Sequence, residues 1–446
     1  MKKTIALLFS ALMLLLCAVP ALADEAAPAL SALHTEGERI VDENGTQVML
    51  RGVNLGGWLI QEDWFCPADN GEQGDHKTLE TLISRFGVEK AYELYNVYWD
   101  NWIKEYDFKE IKQMGFNCVR IPFWYRNFQS DDNGTWIRND AGEIDFGRLD
   151  FAVSMCEKYG LYAVLDYHGM NGCQGMQDHC GQKNNYHFFD QNDAGKEYRR
   201  QAVELWSLIA ERYAGNGAIA MFDIINEPLC DVPLISRNYT AVNDFYNDAY
   251  KAIREKDPSR MICMMGTWDI GKLPKPRSRG WTNVVYQMHL YNATKDSVET
   301  RIDASYALRY NVPLFIGEFH PTGDNVKLTV AEMLEVYEEG GVNWCVWTWK
   351  GYNSWAAWAD WFIYGSVNDD LMVDPANDSY EEIAEKWGRM STEGDVFYSG
   401  HLDEEVLPFL PDGKEPSDEG SAFISFFKKL IRKLRIVFEL IIDLFT

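Results

Sequence analysis

Eight apolar runs recur along the chain, near residues 48 to 55, 116 to 121, 161 to 167, 219 to 225, 260 to 266, 283 to 290, 312 to 317 and 342 to 348. Between them lie stretches of helical period, such as Lys196 to Tyr213, Ala241 to Lys256, Thr329 to Glu339 and Glu381 to Met390. Strand-like runs that alternate with helices call for parallel strands joined by helical crossovers. Eight such units predict an α/β chain folded as a (β/α)8 TIM barrel. With 446 residues the chain holds one such domain with appendages, because α/β barrels often exceed 250 residues as a single unit. Arg39 to Val48, with Asn44-Gly45 between apolar flanks, predicts a hairpin ahead of the first strand that covers the barrel floor.

The two ends differ from the middle. Residues 1 to 23 have Lys2-Lys3, an apolar run from Ile5 to Val19 and a small-residue site, Pro20-Ala21-Leu22-Ala23, the pattern of a secretory signal. The mature chain is therefore expected to be exported, and possible tethering to the cell surface rests on its other end. Residues 399 to 420 are rich in Asp, Glu, Pro and Gly and read as a linker. Residues 421 to 446 carry a net charge of +3 in a chain whose total is −26, with Phe423, Phe427, Leu430, Ile431, Leu434, Phe438, Ile441 and Ile442 at helical spacing. Lys428, Lys429, Arg432, Lys433 and Arg435 occupy the other faces, so this C-terminal segment is a basic amphipathic helix suited to a membrane or envelope surface. The domain itself is expected over 33 to 398. Cys118, Cys156, Cys263 and Cys345 stand singly in strand-like or helix-like runs and read as buried thiols. Cys173 and Cys180 share one glycine-rich loop and are the one local pair expected to bond.

Two glutamates close apolar runs: Glu227 in Asn226-Glu227-Pro228, and Glu318 after Leu314-Phe315-Ile316-Gly317. In the barrel they end strands four and seven, on the C-terminal face where active sites of this fold are built. A pair of carboxylates there suits hydrolysis of a glycosidic bond, since one carboxylic acid must protonate the leaving oxygen while a carboxylate faces the positive charge growing on the anomeric carbon. Arg120, His168, His289, Tyr291 and Trp347 fall at the ends of strands two, three, six and eight. Scattered polar residues would be as frequent at the other ends of the strands, so the shared position points to function.

The motifs Arg51-Gly52-Val53-Asn54-Leu55-Gly56-Gly57-Trp58-Leu59, Val119-Arg120-Ile121-Pro122, Asp166-Tyr167-His168-Gly169, Asn226-Glu227-Pro228, His289-Leu290-Tyr291, Gly317-Glu318-Phe319 and Trp347-Thr348-Trp349-Lys350 stand in the order and approximate spacing of glycoside hydrolase family 5. The chain resembles that family, the cellulase family, from about 33 to about 390, and its opening motif with Glu62 is most similar to the exo-β-1,3-glucanase branch. It departs from that branch in having Glu62-Asp63 for Glu-Pro and Gly317-Glu318-Phe319 for Gly-Glu-Trp. The resemblance implies a retaining double displacement in which Glu318 attacks the anomeric carbon and Glu227 acts as acid, then base. It further implies Arg120 beside the nucleophile, Tyr291 bonded to it, His289 near the acid/base, Asn226 on the sugar 2-hydroxyl, His168 along the cleft, Trp347 under the reacting sugar and Glu62 as a further hydroxyl partner. Trp58, Tyr125, Trp349 and Tyr352 are candidates for outer subsites or for plain packing.

The implied partner is a polysaccharide or oligosaccharide, a β-glucan with β-1,3 or β-1,4 linkages. The acidic balance argues against nucleic acid, since phosphate binding needs a basic surface. No metal site, cofactor or second subunit is expected; His-Glu helices and CxxC pairs do not occur. The competing reading is a catalytically silent sugar-binding surface protein on the same barrel, which would have no need of two intact glutamates.

Overall fold

A hairpin opens the computed structural model, which describes residues 29–292, 294–322, 326–352, 362–366, 369–394, 396–399 and 401–411. Strand β1 (His34–Glu36) pairs antiparallel with β2 (Arg39–Val41). The ladder lies one turn earlier than the sequence suggests, pivoting at Gly37 (φ +61°). The Asp42 carboxylate takes the backbone N–H groups of Asn44 and Thr46 at 2.9 and 2.8 Å. That side-chain-bonded turn closes the Asn44-Gly45 loop with only an isolated Val41–Gln47 bridge beyond it.

Eight parallel strands follow and close on themselves: β3 (Arg51–Asn54), β4 (Cys118–Trp124), β5 (Tyr162–Gly169), β6 (Ile219–Asp223), β7 (Met261–Met265), β8 (Val284–Leu290), β9 (Leu314–Phe319) and β10 (Asn343–Val346). Closure comes from β10 against β3, with Trp344 opposite Arg51 and Val346 opposite Val53. The residues of β4 to β10 are buried throughout, as expected of strands whose outer face lies under helices and whose inner face fills the barrel. Leu33 and Ile40 of the hairpin segment pack with Leu50, Val164, Met221, Val285 and Phe315 near the N-terminal ends of the strands. The hairpin thus plugs the floor, where Cys118, Cys263 and Cys345 serve as small apolar fillers.

The crossover helices begin where the sequence supplies a cap. The side chains of Asn192 and Asn238 accept backbone N–H groups at the starts of Asp193–Arg212 and Tyr239–Lys256. Thr329 with Glu332, and Ser379 with Glu382, form capping boxes on Val330–Gly340 and Tyr380–Gly388. Three helices, Asp75–Phe86, Val88–Trp102 and Glu105–Gln113, fill the connection from β3 to β4.

The segment beginning at 399 is not all linker. His401–Glu405 is helical, and Leu402, Val406 and Leu410 are buried at four-residue spacing. Glu405 accepts the backbone N–H of Val330 at 2.8 Å. This apolar stripe outweighs the acidic composition that made the stretch look unstructured. The leader, 1 to 23, and the basic helix, 421 to 446, lie outside the described residues. Among those described, no helix is long and apolar enough to cross a membrane.

Candidate active site

The C-terminal ends of the strands surround a cleft of about 460 Å³, lined by Glu62, Trp64, His168, Gln177, His179, Asn226, Glu227, Cys230, Asp231, Trp268, Tyr291, Glu318, Thr322 and Trp347. Seven of the nine residues singled out from the sequence line it. The other two, Arg120 and His289, lie directly beneath, each bonded to a glutamate.

Arg120, fully buried in β4, is the hub. Its guanidinium donates to Glu318 Oε1 at 2.7 Å, Asp223 Oδ2 at 2.9 Å, Asn54 Oδ1 at 3.1 Å and Asn226 Oδ1 at 2.9 Å, and Nη2 lies 3.0 Å from Asp166 Oδ1. Burial works against its charge, and the carboxylates of Asp166, Asp223 and Glu318 outweigh burial. Burial drives Asp223 up to about 7 against the pull of Arg120, while the Gln287 amide donates to both of its oxygens at 2.8 Å. A side chain at Gly317 would collide with that Gln287 amide, so the position before Glu318 requires glycine.

Glu318 has its second oxygen, Oε2, bonded by the Tyr291 hydroxyl at 2.8 Å. Burial raises its pKa, with Arg120 opposing. Glu227 is raised further, well above the usual carboxyl range, by burial and then by the charge on Glu318. One oxygen of each glutamate and a ring nitrogen of His289 lie within 4.8 Å of one another. His289 Nδ1 is 2.7 Å from Glu227 Oε1. Burial and the Arg120 charge push His289 well below its ordinary pKa, so the ring is neutral. Two carboxyl groups of unequal pKa at this separation can divide the work of acid and nucleophile.

Above the pair, Trp347 lies nearly parallel to the His168 ring, with centroids 5.8 Å apart and planes 11° apart. His168 Nδ1 is held by Asp166 at 2.6 Å, and its Nε2 is 3.3 Å from Asn226 Nδ2 and 3.7 Å from Glu62. Burial alone would depress His168; Asp166 first, with Glu62 and Glu318, holds it up at about 10. Glu62 receives the Trp64 indole N–H at 2.8 Å.

The structure sorts the remaining aromatics. Trp58 and Trp349 donate their indole N–H groups to the Trp99 carbonyl and to Asp107, Tyr125 donates to Asp132, and Tyr352 is fully buried. None of these four lines the cleft; they are packing. Trp64, His179 and Trp268 do line it. They come from the loops after β3, β5 and β7, whose courses carry no periodic signal. Asp166 and Asp223 were not singled out as site residues, although each stands as a polar residue inside an apolar strand run. The two departures from the exo-glucanase pattern sit behind the site: Phe319 packs edge-on against Tyr337 and Trp344, and Asp63 receives Asn70 Nδ2 and the Gly74 N–H, each at 2.8 Å.

Cys173 and Cys180 are both free thiols, as are the other six cysteines among the described residues. The expected pair does not bond: Cys173, in a left-handed turn at φ +49°, directs its thiol to the Cys180 carbonyl at 3.3 Å.

A parallel barrel with such a mouth is the architecture of a glycosidase. The chain belongs to the cellulase family, glycosyl hydrolase family 5, whose model matches residues 41–353, and it is accordingly a glycosyl hydrolase. A beta-xylosidase of Phanerodontia chrysosporium is 26% identical over 364 residues, covering 72% of this chain and 71% of that one. A glucan 1,3-beta-glucosidase of Candida oleophila is 32% identical over 218 residues, 47% of this chain and 48% of its own; the match thus spans about half that relative's length. Among solved structures, the rutinosidase from Aspergillus niger (TM-score 0.52, 18% identity, 68% of this chain and 90% of that one) and an endogalactoceramidase (TM-score 0.54, 18% identity, 81% and 85%) share the fold.

Proposed function

We propose that the protein is an exported, retaining hydrolase that cleaves β-glucosidic bonds of β-glucans, with β-1,3 or β-1,4 linkages, by double displacement. The observation that carries this reading is the close approach of Glu227 and Glu318, an oxygen of each lying within 4.8 Å of the other, in environments that raise Glu227 more than Glu318. Inverting enzymes hold their carboxyl groups farther apart, leaving room for a water between acid and base. The glucan 1,3-beta-glucosidases among the relatives favour β-glucan as substrate.

In the first step Glu318, held by Arg120 and Tyr291, attacks the anomeric carbon while the carboxyl proton of Glu227 passes to the leaving oxygen. A glycosyl ester on Glu318 results. Glu227, now a carboxylate, takes a proton from water, whose oxygen attacks the same carbon and frees Glu318. Arg120 fixes Asn226 Oδ1, which leaves Nδ2 to donate to the sugar 2-hydroxyl. Trp347 offers a flat face to the C–H face of the ring, and Glu62 accepts from a hydroxyl. A silent sugar-binding barrel would need neither the split of pKa nor the buried hub that maintains it.

Replacing either glutamate by glutamine tests the reading. On a β-glucan both Glu227→Gln and Glu318→Gln are expected to lose nearly all hydrolysis, general acid catalysis alone being worth about 100- to 10,000-fold. On an activated aryl β-glucoside, whose leaving group needs no proton, Glu227→Gln still forms the glycosyl-enzyme and shows a burst, whereas Glu318→Gln does not. Full activity on the polysaccharide in either folded variant overturns the assignment.

A further inference from the structure

The cleft wall beside Glu227 is built of an imidazole and a thiol that the hydrolytic steps do not use. His179 Nε2 lies 3.6 Å from Glu227 Oε2, and a donor atom from each of His179, Glu227 and Cys230 lies within 4.8 Å of the other two. His179 Nε2 is buried, has no hydrogen-bond partner among the described residues, and belongs to a side chain that lines the cleft.

Two loops are tied together to produce this. Three of the five residues 227–231 are non-glycine residues with left-handed backbone: Glu227 (φ +39°), Leu229 (+64°) and Asp231 (+54°). Such conformations are costly and persist where the surroundings dictate them. The tight coil brings the Cys230 N–H onto the Glu227 carbonyl at 3.1 Å. Backbone bonds from Leu229 N–H to the Gln174 carbonyl (2.8 Å) and from Met176 N–H to the Cys230 carbonyl (3.0 Å) join this coil to the loop that carries His179 on its short turn Asp178–Cys180. Backbone brings the three groups together, with one further bond between the Cys230 thiol and the Glu227 carboxyl group.

We propose that His179, Glu227 and Cys230 form a binding site for a zinc-class divalent cation, whose occupancy reversibly blocks hydrolysis. One nitrogen, one carboxylate oxygen and one sulfur are a ligand set that suits zinc, and three protein ligands facing a cleft leave the fourth position to water. Tetrahedral bonds of about 2.0–2.2 Å to nitrogen and oxygen place those two atoms about 3.4 Å apart, close to the 3.6 Å present. Hard cations such as magnesium and calcium prefer sets of oxygens and are not matched here. Coordination takes Cys230 as thiolate and Glu227 as carboxylate, so the protons they carry pass to solvent. A cation so placed removes the proton donor of the first step. The blocking effect rests on the reading of Glu227 as acid/base, whereas the binding site does not.

The experiment uses the full chain and zinc chloride. Hydrolysis of an aryl β-glucoside should fall as zinc is added, recover on chelation and be indifferent to magnesium or calcium. Calorimetry should give one zinc per chain, and cobalt(II) in its place should show thiolate-to-metal charge transfer, a readout independent of any activity. Cys230→Ser and His179→Gln should each weaken zinc binding at least tenfold and abolish or shift that band, with inhibition referred to each variant's own metal-free rate. Undiminished hydrolysis with the site saturated refutes the block. Zinc affinity unchanged in both folded variants refutes the site, and would place the ion instead among Glu227, His289 and Glu318. Loss of the acid/base reading leaves the cobalt spectrum unaffected, so the two failures are told apart.

Discussion

Tyr291→Phe isolates one hydrogen bond on the proposed nucleophile. The Tyr291 hydroxyl donates to Glu318 Oε2 at 2.8 Å, while Arg120 holds Oε1 at 2.7 Å. Removing the hydroxyl leaves Arg120 in place and costs the ionised carboxylate one hydrogen bond of the charged kind, worth about 1.5–3 kcal/mol. At 1.36 kcal/mol per pKa unit, that raises the pKa of Glu318 by about 1–2 units. The sign follows from which state the bond favours: it stabilises the carboxylate, so its loss favours the protonated form, and burial already pushes in that direction. Hydrolysis needs Glu318 ionised. The acidic limb of kcat/KM for an aryl β-glucoside should therefore move to higher pH by about 1–2 units. The alkaline limb, set by loss of the Glu227 proton, should move less, though the two groups titrate as a coupled pair. A folded variant with an unmoved acidic limb refutes the claim that Tyr291 holds Glu318 ionised. A shift confined to the alkaline limb would exchange the roles of the two glutamates.

Arg120→Met leaves Asp166, Asp223 and Glu318 buried without their common cation; breaking a buried pair costs about 3–5 kcal/mol, so thermal unfolding should occur at clearly lower temperature and activity should vanish. An unchanged melting temperature would contradict the hub. Proton NMR of the first-formed sugar from a β-glucan should show the β-anomer, and initial α-anomer would exclude double displacement. We also propose that the basic amphipathic sequence 421 to 446 holds the exported enzyme at the envelope of its own cell, its cations contributing about 1 kcal/mol each near an anionic surface. Truncation after Glu419 should move activity from envelope to medium without lowering the unfolding temperature; a truncated enzyme that unfolds earlier and was never cell-associated refutes the tether.

Much of the site was legible in the order of residues alone, for a geometric reason. In a parallel barrel every strand ends on the same face, so Arg120, His168, His289 and Glu318, each read as the end of an apolar run, converge once the barrel closes. The rhythm of strand and helix determines that closure. Local chemistry determines the caps at Asn192, Asn238, Thr329 and Ser379. What tertiary structure alone decided lies in two places. The cleft walls come from loops whose paths are set by distant backbone bonds, such as Leu229 N–H to the Gln174 carbonyl; hence His179, Cys230, Trp64 and Trp268 could not be placed from their neighbours in sequence. The unequal acidity of Glu227 and Glu318 depends on burial and on which charge lies across the barrel, Arg120 for one and the other glutamate for its partner. Two glutamates are chemically identical in the sequence; only the fold makes them different.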